Sequence, residues 1–276
     1  MTMTVDTERH GPVAASWWRV LAVARRHAYV LQRSPHRFFD VAVWPAVDVV
    51  MFGSIGVFAT GRAGAGGQVA LYLLVGVVLW HVVYQAEIAM STAFLEETYS
   101  RSVMSLMISP LRDWEYVTGA ALFGMVKLVL GVGVVSLIAW FAYAFRITSL
   151  GLGLIPVAAL LLGVGWAIAL FVIGLVLRFG SGAEALAWGI LFGVMPLSGV
   201  FYPVNALPGI LRPIGEVLPT THAFAAGRAF ARGDPLPWDQ LGLAAAGTGV
   251  LLLLGLLYVG RMLRVFRARG YVTRYS

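Results

Sequence analysis

The sequence predicts an all-α integral membrane protein: six transmembrane helices, an N-terminal interfacial amphipathic helix, and an outer re-entrant element after the fifth span. Three observations carry that expectation. Six apolar stretches of about 19 to 29 residues occupy Phe38–Ala59, Val69–Ala93, Val117–Phe145, Leu152–Leu177, Ala183–Phe201 and Leu241–Met262. A helix needs about 20 residues to cross a hydrocarbon core of about 30 Å. Hydrophobic residues make up 59% of the chain and charged residues only 12%, against roughly 25% charged in soluble domains. With a mean hydropathy of +0.83, a water-soluble fold would have too little charge to cover its surface. The third observation is that the arginines are unevenly divided among the connections.

Arg9, Arg19, Arg25, Arg26, Arg33 and Arg37 precede the first span, and Arg261, Arg264, Arg267, Arg269 and Arg274 follow the last. An even number of spans puts both termini on one side, and cytoplasmic segments carry the Lys/Arg excess. Both termini are therefore expected in the cytoplasm of a multi-pass cell-membrane protein. Arg101, Arg112 and Arg178 then fall inside, and Arg62, Arg146, Arg212, Arg228 and Arg232 outside. The basic ends point to anionic lipid headgroups rather than to nucleic acid. The chain divides into a cytoplasmic N-terminus (1–37), a six-helix transmembrane domain (38–262) and a basic cytoplasmic tail (263–276).

Residues Ser16 to Arg33 have helical amphipathicity. Trp17, Val20, Leu21, Ala24, Ala28 and Leu31 share one face, while Arg19, Arg26 and Arg33, spaced seven apart, lie opposite with Arg25. That pattern suits a helix in the headgroup plane with its arginines towards water or phosphate. Ser34-Pro35 ends it, because the proline ring disfavours helix at the preceding residue.

Between the second and third spans, Glu96 and Glu97 open a segment with apolar Val103, Leu106, Met107 and Leu111, broken at Ser109-Pro110. It reads as a short amphipathic helix on the cytoplasmic surface whose apolar side is available to a protein partner or the membrane. The fifth span runs into Met195-Pro196-Leu197-Ser198-Gly199-Val200-Phe201-Tyr202-Pro203 and then Leu207-Pro208. Each proline removes a backbone donor and clashes one turn back, so no continuous helix passes through. Gly209 to Pro219 is apolar but too short to cross. A dip into the outer leaflet fits, provided its irregular backbone is buried in protein or faces a cavity.

Asp48, Glu87 and Lys127 are ionisable residues within the first three spans. Intramembrane charges are costly and pair or face a cavity. Their depths, about 10, 6 and 10 residues from the cytoplasmic end of each span, agree to within about 6 Å at 1.5 Å per residue, so contact is geometrically possible. Structural neutralisation of the carboxylates by Lys127 is the first expectation; a proton relay or a polar translocation path is the functional one. Gly131, Gly133, Gly163 and Gly165 are candidate points of close helix approach. Trp17, Trp18, Trp114, Trp188 and Trp238 fall near span ends, where indoles anchor at the interface. Ser198, Phe201, Tyr202 and Pro203, where the fifth span breaks, are candidates for an exit gate.

Some chemistries have no basis in these residues. There is no cysteine, hence no disulfide framework or thiolate metal site. His81 and His222 have no metal-ligand companions at helical or hairpin spacing. No Gly-rich loop ends in Lys-Ser/Thr to cradle phosphates, and the sole lysine lies inside a span. The chain is expected to be no enzyme and to need no cofactor.

At these segments the sequence resembles the permease subunits of the second ABC-exporter permease family, which export drugs, lipids and polysaccharides. The likeness covers essentially the whole chain. It rests on the amphipathic start, the six spans, Glu96-Glu97 with Ser109-Pro110-Leu111, the stretch from Leu197 to Pro203 with Leu207-Pro208, and Leu218-Pro219-Thr220-Thr221-His222-Ala223. Family members often carry a Gly-Thr pair after the acidic opening; here Ser100 to Val103 stands in its place. The resemblance implies a transmembrane permease domain, a separate ATP-binding-cassette ATPase in two copies, and a second permease copy or a related permease. It implies an ATPase-coupling surface at Glu96, Glu97, Leu106, Met107, Ser109, Pro110 and Leu111, helped by the N-terminal helix. The substrate it implies is amphipathic, drug-like or lipid-linked. The alternative, from another class, is a gradient-driven secondary transporter using Asp48, Glu87 and Lys127, although internally repeated halves, common in such carriers, are not evident.

Overall fold

The computed structural model describes residues 12–32, 39, 43–63, 68–99, 113–145, 153–180 and 184–269. Within them lie nine α-helices: α1 (Pro12–Gln32), α2 (Trp44–Ala63), α3 (Gln68–Tyr99), α4 (Asp113–Tyr143), α5 (Leu154–Phe179), α6 (Glu184–Leu197), α7 (Arg212–Val217), α8 (Pro219–Ala231) and α9 (Trp238–Arg269). No strand occurs among the described residues. Each apolar stretch of the sequence falls on one helix, and five of these helices are long and apolar enough to cross a bilayer: α2, α3, α4, α5 and α9. The fold is all-α and membrane-embedded.

The fifth stretch differs. Its helix, α6, has 14 residues, about 21 Å at 1.5 Å per residue, short of a hydrocarbon core. Pro196 sits in its last turn, and irregular backbone follows from Ser198.

The contacts fix the helix directions. Gly56 of α2 abuts Ala70 of α3, and Asp48 meets His81, so the two run opposite ways. Gly124 and Gly131 of α4 approach Ala89 and Gln85 of α3, again in opposite order. Trp188 of α6 packs on Tyr84, while Val200 beyond it reaches Gly76, so α6 also opposes α3. By contrast Gly163, Leu170 and Gly174 of α5 meet Thr248, Gly255 and Tyr258 of α9 in rising order, so these helices are parallel.

α3 and α5 form the centre. α3 is apolar all round, and nearly every residue from Leu73 to Ala89 is buried, as expected for a helix enclosed by others. α2, α4 and α9 turn large apolar side chains outward, among them Val129, Phe141, Leu253 and Leu257; in lipid such surface needs no cover. Small residues set the closest approaches. A Cβ at Gly165 would meet Ala86 Cβ and the Val83 carbonyl at 2.6 Å, and one at Gly163 would meet Thr248 at 2.8 Å. Gly131 faces the Gln85 side chain, but Gly133 has open space around it. Three of the four glycines singled out in the sequence are thus contact points, and Gly133 is not.

Candidate functional site

Two features meet at the break after α6: a clasped stretch of irregular backbone and an aromatic cavity beside it. Gly199 takes φ +69°, a conformation that L side chains rarely adopt, and turns the chain out of helix. The polar groups freed there find partners on α3 and α8. Arg228 of α8 is buried; its Nη2 donates to the Val200 carbonyl at 2.6 Å and its Nε to the Tyr72 carbonyl at 3.4 Å. The guanidinium also covers the Tyr72 ring at 3.6 Å. The Tyr72 hydroxyl donates to the Gly199 carbonyl at 3.3 Å. Ser198 Oγ donates its one proton to the Val194 carbonyl at 2.7 Å, so the Thr220 hydroxyl, 2.6 Å away, is the donor to Ser198. Thr221 donates to the Gly215 carbonyl at 2.6 Å. This is how non-helical backbone is accommodated away from water: the Gly199 and Val200 carbonyls are met by protein donors.

Within the connection between α6 and α9, Arg228 lies on α8 with Ala223, Phe224, Ala226 and Gly227, all buried. The available signal was an arginine four residues after Phe224, in a run that is otherwise apolar or small from Ala223 to Ala231. His222 is not isolated either: its Nδ1 donates to Gln240 Oε1 at 2.8 Å.

Of the gate candidates, Ser198 is buried in the clasp and Phe201 stacks on Phe52 of α2, ring centres 4.0 Å apart at 16°. Tyr202 is half-buried, and Pro203 is exposed before a 3₁₀ turn at Val204–Ala206. Of these four candidates, Phe201 is the one that lines the adjoining cavity.

That cavity, roughly 250 Å³, lies among α2, α3, α6 and Phe201. Trp44, Phe52, Trp80, Tyr84, Trp188 and Phe192 line it, with Asp48 the one charged residue on its wall among the described residues. Trp188, expected as an interfacial anchor, is instead turned inward, its ring 5.9 Å from that of Tyr84. Asp48 Oδ2 lies 3.7 Å from Nε2 of His81, and His81 Nδ1 donates to the Val77 carbonyl at 2.8 Å. His81 was not read as a partner of Asp48 in the sequence. Thirty-three positions separate them, and hydropathy gives depth but not the direction a side chain faces.

Glu87 is fully buried, and neither carboxylate oxygen has a hydrogen-bond partner among the described residues. Ser91, one turn on, is near it without hydrogen-bond geometry. Lys127 is buried on α4.

On the other side of the bundle α1 runs alongside the first turns of α4. Glu115 is wholly buried there, accepts a hydrogen bond from Ser16 Oγ at 2.5 Å, and lies 3.5 Å from Arg19 Nη1. A Cβ at Gly119 would strike Val23 Cβ at 2.7 Å, and His27 stacks on Phe123. The face of α1 turned to α4 is thus Ser16, Val20, Val23 and His27; of the apolar stripe, Val20 belongs to it and Trp17 does not. Trp17, Trp18 and Arg26 remain exposed. Arg33, Leu106, Met107, Ser109, Pro110 and Leu111 lie outside the described residues, as do the side chains of Glu96 and Glu97, whose backbone continues α3.

A comparison with curated proteins gave no match. The model of the family described as "ABC-2 family transporter protein" matches residues 55–261, which span α3 to α8 entire, with the clasp and the α3, α6 and Phe201 side of the cavity; the α2 side, Trp44 to Phe52, precedes the matched stretch. With well over half of its 276 residues matched, the chain belongs to the ABC-2 transporter family.

Proposed function

We propose that the chain is the permease of an ABC exporter, moving an amphipathic, drug-like or lipid-linked substrate out of the cytoplasm or the inner leaflet. Family membership makes it a multi-pass membrane protein, the membrane subunit of an ABC-type transporter, and a partner of an ATP-binding-cassette ATPase. The finer reading has two ATPase copies grip the inner side of two permeases in the cell membrane, with both termini cytoplasmic. Glu96 to Leu111 and the arginine-bearing α1 receive ATPase closure, and the spans move as rigid bodies.

The observation that carries the reading is the pairing of the clasped break after α6 with the cavity beside it. Phe201 belongs to both: it follows Val200, which Arg228 holds, and it stacks on Phe52 in the cavity wall. Movement of α2 against α6 would therefore open the cavity and part this stack together. The apolar lining suits an amphipathic cargo.

The chain purified with its ATPase and reconstituted in vesicles is expected to expel amphipathic dyes on ATP addition. Replacing Leu106 and Met107 by Asp is expected to abolish co-purification of the ATPase; unchanged association removes the coupling surface from the proposal. Facing Asp48 and His81 favours a second reading, a gradient-driven carrier. Uptake or expulsion by the chain alone under an imposed proton gradient, with no ATPase, would establish that reading and overturn the first.

A further inference from the structure

The Asp48–His81 pair calls for a proton. The Val77 carbonyl has no hydrogen to give, so the 2.8 Å contact fixes the hydrogen on His81 Nδ1. In the neutral ring Nε2 then presents a lone pair, and the carboxylate oxygen 3.7 Å away faces it. Two lone pairs repel. One proton resolves the conflict, either as imidazolium opposite carboxylate or as a carboxylic acid whose O–H points to Nε2. In both forms the pair is electrically neutral, and after losing the proton it carries one negative charge. His81 is buried and Asp48 stands on the cavity wall. Whatever Lys127 balances, loss of the proton adds one negative charge at membrane depth, which is costly, so its departure is favoured when another positive charge arrives.

The cavity is built to receive such a charge. Trp44, Trp80, Tyr84 and Trp188 surround the approach to Asp48, and aromatic faces attract cations, tryptophan most strongly. Among the described residues of the wall no Lys or Arg stands to balance a phosphate, whose charge would be stripped of water without compensation.

We propose that this cavity binds a lipophilic monocation with an aromatic body, and that its entry displaces the proton held between Asp48 and His81. The exchange is one for one: protonated pair plus cation gives deprotonated pair with bound cation plus one H⁺, and no covalent bond of the ligand changes. The inference rests on the exporter reading for one point, that the occupant is cargo.

Other titratable groups stand around the pair. α3 brings Tyr84, on the cavity wall, and Glu87. α4 brings Lys127 and Tyr143, whose hydroxyl donates to the Val50 carbonyl at 2.7 Å. The described side chains of α6 are all non-titratable.

The test uses the full chain in zwitterionic lipid nanodiscs, with quenching of tryptophan fluorescence as the signal. The probes are N-methylacridinium, a permanent planar cation, and 9-methylanthracene, its uncharged counterpart in shape. While the pair holds its proton, the Kd for the cation is expected to fall about tenfold per unit rise in pH, as one-proton linkage requires. In weak buffer, one proton is released per cation bound. The neutral probe binds more weakly and without pH dependence. Asp48→Asn is expected to remove both the preference and the proton release. Slope and preference are read on the unaltered chain, so a poorly folded variant does not blunt the test.

Equal binding of the two probes, or a cation Kd flat in pH, overturns the site. If the complex with its ATPase then still expels an uncharged amphipathic dye, the exporter reading survives that failure. Selective, proton-releasing binding without any ATP-driven export overturns the exporter and keeps the site.

Discussion

The guanidinium carbon of Arg228 lies 3.6 Å from the centre of the Tyr72 ring, while Nη2 of the same group donates to the Val200 carbonyl. One side chain thus ties α8, the start of α3 and the broken segment after α6. Only a planar cation with several donors can stack and bond two carbonyls at once. Arg228→Lys keeps the charge and loses the stack and the fork. Arg228→Met also leaves the Val200 oxygen unpaired. A hydrogen bond to a charged group contributes about 1.5–3 kcal/mol, so Arg228→Met is expected to cost on the order of 3 kcal/mol and Arg228→Lys about half. Thermal unfolding in detergent should rank the native chain above Arg228→Lys above Arg228→Met; identical midpoints would remove the clasp from the account.

Lys127, Glu87 and Asp48 give a second prediction. Glu87 is fully buried on α3 and Lys127 is buried on the adjoining α4. If Lys127 balances the carboxylates of α2 and α3, removing it strands a buried charge, a change of about 3–5 kcal/mol when one partner of a buried pair is lost. Lys127→Met should therefore lower folded yield severalfold. Adding Glu87→Gln or Asp48→Asn should restore part of it, and whichever restores more identifies the main partner. Normal yield and transport from Lys127→Met alone would contradict the pairing.

The glycines test packing directly. Adding a methyl at Gly165 puts it 2.6 Å from the Val83 carbonyl, a backbone atom that cannot swing away. Overpacking costs about 1–3 kcal/mol, more than the ~1 kcal/mol that alanine gains over glycine in a helix, so Gly165→Ala should lower the unfolding midpoint. At Gly133 nothing lies within 4 Å, and Gly133→Ala should leave the midpoint unchanged or raise it. Equal responses at the two sites would mean that α3 and α5 are not held by this contact.

What the sequence disclosed follows the physics of each signal. Hydropathy runs located every long helix because the requirement, length in an apolar solvent, is local. The broken stretch after α6 was legible for the same reason: prolines act on their own neighbours. Azimuth was not legible. Periodicity groups Trp17, Val20 and Leu21 on one apolar face of α1, but that Val20, with Val23 and His27, meets α4 is decided by the notch at Gly119, outside α1's own residues. Periodicity names a face without saying what covers it. Asp48 and His81 are the same case between helices. The burial of Arg228 is not legible because α8 is too short for a hydropathy window, so its arginine reads like the others of the outer connection.

The hydroxyls of Ser198 and Thr220 are 2.6 Å apart and buried, joining the irregular segment to the first turn of α8. Cysteines fit in place of both residues with little change in volume, and sulfurs so placed are within reach of a disulfide bond, whose length is about 2.05 Å. The native chain has no cysteine, so any intramolecular bridge in Ser198→Cys/Thr220→Cys belongs to this pair. Oxidation is expected to give the bridge readily, visible as a shift in gel mobility reversed by reductant. If the clasp is a fixed brace, dye export by the complex should be the same oxidised and reduced. If it loosens as cargo leaves, the oxidised form should retain ATPase association and lose most export, with activity returning on reduction. The second outcome is expected, because Phe201 lies three residues after Ser198, and a bridge there would hold it while α2 draws Phe52 away, hindering the coupled movement of the two sides. Failure of the bridge to form would show that the two hydroxyls are not neighbours in the membrane.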